Sequence, residues 1–162
     1  MKKTLLVCYL FIFCSFCFSE EQIFFNYENK IINLENSIST ITLIIGEPTS
    51  IEVQSFKANP DWDTLLYKYD KVVIYKYRKP MGIFGFLIFD TSIPVTIQKT
   101  QISVGMKITE VESVIGDGSR IDLSDNEFTV IYQFENWIEV QITYKNKENP
   151  FVSSILVWYP PL

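Results

Sequence analysis

The chain contains no histidine, and its only three cysteines, Cys8, Cys14 and Cys17, fall within the first seventeen of 162 residues. A Ser-His-Asp triad and a Cys-His nucleophile pair are therefore excluded. If the cysteine-bearing first nineteen residues are removed, zinc sites built on Cys or His are excluded as well. Glycine is scarce, at six residues. There is neither a glycine-rich phosphate loop nor a dinucleotide fingerprint. No Gly/Ser linker or low-complexity tract divides the chain. Carboxylate chemistry, Ser-Lys chemistry and oxygen-ligand metals are what remain. Against these absences stands an apolar, aromatic composition, 48% hydrophobic and 15% aromatic. That is ample for a packed core, in one domain or two small ones.

The first residues read as an address. Lys2 and Lys3 precede an uncharged apolar run over 4–18, closed by Ser19 and followed by Glu20 and Glu21. This layout predicts an export signal at 1–19, cut after Ser19. The run is short for a membrane span, which takes about 20 apolar residues. No stable span is expected after cleavage. Phe13 and Phe16 stand before Cys14 and Cys17, and Val7 before Cys8 comes too early, so a lipid anchor is not expected. The expected location is the periplasm or the exterior. Cleavage removes two of 14 basic residues and none of 19 acidic ones, which leaves 143 residues at net −7. An acidic protein is a poor match for nucleic acid or an anionic membrane surface.

Two acidic stretches invite chemistry. Asp117, Asp122, Asp125 and Glu127 are close enough in sequence to suggest calcium ligands, but they miss the EF-hand spacing. Two tight turns explain the same residues. Asp61 and Asp63 flank Trp62 after Pro60, in a pattern that a paired-carboxylate hydrolase could use and that a simple turn also explains.

The rest of the chain repeats itself. Residues 37–49 align with 107–119 at an offset of 70. Ile38, Ile41, Ile44 and Ile45 match Ile108, Val111, Val114 and Ile115, which is one helix face in each copy. Gly46 and Gly116 then fit a helix C-terminus. Strand-like segments follow at 65–70, 73–77 and 86–89, echoed at 130–135, 140–144 and 154–157. Ile138, Val140, Ile142 and Tyr144 alternate with Glu139, Gln141, Thr143 and Lys145, the period of a half-buried antiparallel strand. Residues 128–134 and 151–159 read as its neighbours. Residues 81–89 read as a buried strand with a glycine bend, and 95–102 as a strand or extended linker. The predicted fold is α+β, with two tandem repeats at 20–98 and 99–162. Each repeat is expected to pack one helix on a three- to four-stranded antiparallel sheet. The two units are expected to form one body, with room for a shared sheet.

The sequence Ile102, Ser103, Val104, Gly105 and Met106, followed by Glu110-Val111 and Ile115-Gly116, resembles the outer-membrane assembly lipoproteins called BamE or SmpA/OmlA. It is also similar to the β-lactamase inhibitor protein family, whose fold is two helix-plus-sheet units in tandem. Those families place Ser or Thr after Gly-Met, where Lys107 stands here. The resemblance implies an exported interaction module of the cell envelope, such as an inhibitor-like domain, whose partner is another envelope or secreted protein. The alternatives are a structural component of envelope assembly or a carboxylate-dependent wall hydrolase. No catalytic, cofactor-binding or metal-binding residue is expected. Among Tyr67, Tyr69, Trp158 and the other large aromatics, Tyr75, Tyr77, Trp62 and Trp137 are the candidate partner-binding residues, because Tyr and Trp bury much area with few rotors.

Overall fold

A computed structural model describes residues 23–55, 63–78, 83–134 and 137–159. The chain opens with a hairpin of β1 (Ile23–Tyr27) and β2 (Lys30–Asn33). Glu28 and Asn29 turn it with φ of +48° and +66°, the left-handed pair that a type I′ turn requires. A second hairpin, β7 (Val95–Ile97) and β8 (Thr100–Ile102), pairs β7 with β1. Together they make a four-stranded sheet in the order β2-β1-β7-β8.

The other eight strands form one antiparallel sheet. They are β3 (Ser50–Gln54), β4 (Thr64–Lys68), β5 (Val72–Tyr77), β6 (Ile83–Ile88), β9 (Ser119–Asp122), β10 (Glu127–Gln133), β11 (Glu139–Lys145) and β12 (Phe151–Trp158). Their order is β3-β4-β5-β6-β12-β11-β10-β9. The seam between the two runs of four is β6 against β12, from Ile88 opposite Ile155 to Gly85 opposite Trp158.

Two helices of eight residues precede the two runs. α1 (Ile38–Ile45) starts at Ser37, whose hydroxyl accepts the Thr40 N–H at 3.1 Å. This answers one of the donors that a helix N-terminus leaves free. α2 (Ile108–Ile115) starts at Lys107, which cannot accept. There the Glu110 carboxylate reaches back to the Lys107 N–H at 2.7 Å. Gly46 and Gly116 follow the helices at φ +100° and +80°, a conformation that favours glycine.

The core follows from the alternation. Val72, Ile88, Ile155, Ile142 and Val130 stand opposite one another across five strands, and all are buried. Phe25 of β1 meets Phe86 of β6 edge to face, with ring centroids 4.8 Å apart. Val95, Ile97 and Ile102 of the small sheet join the same cluster, as do Ile41 of α1 and Val111 of α2. The small sheet and both helices thus pack on one face of the large sheet. Each large side chain buried there stabilises the fold by about 1.5–3 kcal/mol.

This corrects the expected fold. The chain is mostly β, with 52% strand and 14% helix, arranged as sheets of four and eight strands with two helices. It is not a pair of units that each pack a helix on their own sheet. The helical period at 38–45 and 108–115 is real, but two turns of helix cannot cover a sheet. Much of that covering comes from the four-stranded sheet, built from 23–33 and 95–102. The expected strands at 128–134, 138–145 and 151–159 appear within a residue or so of their expected limits. The buried strand expected at 81–89 is β6, while Met81 and Gly82 lie outside the described residues, as does the expected signal at 1–19. Among the described residues, no helix is long and apolar enough to cross a membrane.

Candidate functional site

Because side chains alternate along a strand, the residues between the core positions form the opposite, outer face of the large sheet. The register sets them in rows. Leu66, Tyr75, Gly85, Trp158, Glu139 and Gln133 stand across six strands. Lys68, Val73, Leu87, Leu156, Gln141 and Ile131 form the next row. The centre of this face is apolar and aromatic, and most of these side chains are half-buried.

Tyr75 and Tyr77 both lie here. The β5–β6 register slips beside Tyr75 and Lys76, so Phe84 has no direct opposite. This bulge brings the Phe84 ring to the outer face, where Tyr77 stacks on it at 4.1 Å and Tyr75 tilts against it at 6.1 Å. Burial pushes both tyrosine hydroxyls above their usual pKa, so at neutral pH they are uncharged donors. Gly85 is required by a close approach. A Cβ there would stand 2.9 Å from the Trp158 Cβ and 3.1 Å from the Val157 carbonyl oxygen. The Trp158 indole N–H donates to Glu139 Oε1 at 2.9 Å, and Gln141 Nε2 donates to the same oxygen at 2.6 Å. A fixed, hydrogen-bonded indole thus sits beside a three-ring cluster.

Trp137 is 78% exposed, with φ +63°, in the β10–β11 connection. It leaves the sheet at the same end as Tyr77 and Trp158, three strands away from β5. Trp62 lies outside the described residues. Tyr67 faces the core side and Tyr69 is buried. Phe84 and the Leu87–Leu156 pair were not among the sequence candidates. Residues 83–88 are apolar at both parities, so no alternation marked which of them face outward.

Three of the acidic candidates, Asp63, Asp122 and Glu127, are engaged in ion pairs. Asp63 is buried and pairs with Arg78 at 3.3 Å, and Asp61 lies outside the described residues. Asp122 pairs with Arg120 at 3.1 Å and Lys147 at 3.3 Å. The Arg120 guanidinium, then the Lys147 ammonium, holds its carboxyl below the usual carboxylate range. Glu127 pairs with Lys145 at 3.5 Å. Among the described residues, no three His, Cys, Asp or Glu side chains gather to hold a metal. A cleft of about 560 Å³ beside β9 and β10 is lined by Asp117, Ser119, Gln133 and Glu139, among others. One oxygen of Glu139, which lines this cleft, accepts two hydrogen bonds, from Trp158 Nε1 and Gln141 Nε2.

The fold and this face define a two-sheet β protein whose large sheet is packed on one side and presents half-buried aromatics on the other. No family model, curated protein or solved structure matches the chain.

Proposed function

We propose that this chain is an exported, non-enzymatic protein-binding module of the cell envelope, and that the outer face of the large sheet is its contact surface. The observation that carries the reading is the aromatic cluster of Tyr75, Tyr77 and Phe84 beside the hydrogen-bonded Trp158. Rigid aromatics bury area at low entropic cost. The resemblance at 102–116 to envelope assembly and inhibitor families supports the same reading. The partner is another envelope or secreted protein, and its identity separates an inhibitor from an assembly factor.

The test is capture from an envelope extract by the immobilised chain, run in parallel with a Tyr75→Ala/Tyr77→Ala variant whose fold is checked by circular dichroism. The expected result is one stoichiometric protein held by the wild type and lost by the variant. Equal retention by both would remove the face from the interaction. Nothing retained above blank beads would overturn the proposal.

A further inference from the structure

The two edges of the large sheet are treated differently by the sequence. At β9, Arg120 and Asp122 point to the core side, and Lys147 joins them. The Arg120 guanidinium lies 3.8 Å from the centre of the Phe128 ring and closes the end of the core. Charges of this kind blunt an edge against further pairing. At β3 every residue is exposed. Ile51 and Val53, opposite Tyr67 and Leu65, continue the apolar core side outward. They are 54% and 48% exposed. The one charge on the strand, Glu52, is already answered by Lys68 at 2.6 Å.

The backbone of β3 is also open. Tyr69 N–H donates to Val72 O in β5, while Lys68 O accepts the Thr49 N–H on the other side. The alternation then turns Ser50, Glu52 and Gln54 toward β4. It leaves the N–H and C=O of Ile51 and Val53 pointing off the edge.

We infer that β3 pairs antiparallel with β3 of a second copy of this chain, on a two-fold axis through Val53, and joins the two large sheets into one. The strand is self-complementary in that register. Val53 meets the partner's Val53 on the core side, and Ile51 meets the partner's Ser55. On the outer side Glu52 meets the partner's Gln54, so no like charges oppose each other. Pairing β3 with β9 of another copy would instead set Ile51 and Val53 against charged Arg120 and Asp122. That mismatch disfavours an open filament and favours the closed two-fold contact.

The test uses the full chain with Cys8, Cys14 and Cys17 replaced by Ser, so that an introduced thiol is alone. Light scattering should give twice the chain mass, and Val53→Cys should oxidise to a disulfide-linked dimer. Ile121→Cys on the β9 edge should not. Val53→Pro removes only the donor that points off the edge, so it should leave a folded monomer whose melting temperature, unlike that of the wild-type dimer, no longer rises with protein concentration. Ile51→Lys should do the same and covers the case in which the proline variant fails to fold. A monomer at every concentration overturns the inference. So does a dimer that survives both substitutions, or one that links through Ile121→Cys instead.

Discussion

Gly85 shows how one missing side chain shapes the outer face. The space its Cβ would take is held by the Cβ of Trp158 and the Val157 carbonyl. Gly85→Ala should therefore push β12 from β6 and cost about 1–3 kcal/mol as overpacking, read as a lower melting temperature. It should also loosen the Trp158–Glu139 hydrogen bond, which is visible as a shift in tryptophan fluorescence. The tyrosines make a second prediction. Burial raises the pKa of Tyr69, Tyr75, Tyr77, Tyr132 and Tyr159. Tyr144 is raised furthest, by burial first and then by the neighbouring Tyr132 and Glu112. Above the ordinary tyrosine pKa of 10.0 the unfolded chain gives up protons that the folded chain keeps. The folded state then binds more protons, so its stability falls as pH rises through that value. A phenolate absorbance titration should show the core tyrosines Tyr69, Tyr132 and Tyr144 ionising late. Ordinary titration near pH 10.0 in the folded protein would contradict the packing described.

At the scale of elements, the two helices differ at their first residue. Ser37 caps α1, whereas Lys107 leaves α2 with only the Glu110 contact. Ser37→Ala should cost about 1 kcal/mol, and Lys107→Ser should stabilise by about 0.5–1 kcal/mol, both measured by urea denaturation. The elements also show what could be read in advance. β11 was legible because one side of it is core and the other is not, so polarity alternates residue by residue. Helix α1 was legible from Ser37, the spacing of Ile38, Ile41 and Ile45, and Gly46. β1 and β2 were missed, although Glu28-Asn29 between two apolar runs was a usable hairpin signal. The joining of β6 to β12 was not readable, because local pattern fixes a strand but not its distant neighbour. The candidate site shared that fate. Tyr75 and Tyr77 could be placed on one face from spacing alone, whereas Phe84 and Trp158 reached it through a bulge and a long-range register.

For the whole molecule, the two faces of the large sheet should answer mutation differently. Ile142 is fully buried between the sheets, and Ile142→Ala should cost about 2–5 kcal/mol. Tyr75→Ala with Tyr77→Ala breaks the stack on Phe84 but opens no cavity between layers. It should cost clearly less than Ile142→Ala in the same melting experiment. An equal or larger loss would place the two tyrosines in a second core and remove them as a contact surface. The seam between β6 and β12 has a consequence in time. β12 comes later in the chain than every other strand of its sheet, yet it sits in the middle. The β3–β6 and β9–β11 meanders can form from neighbours in sequence, whereas the seam must bring residue 85 to residue 158. Contacts between such distant residues slow folding. Closing the seam, like the equally distant β1–β7 pairing of Ile23 with Ile97, is therefore expected to come late, and until it closes β6 is an open edge within reach of any other extended chain.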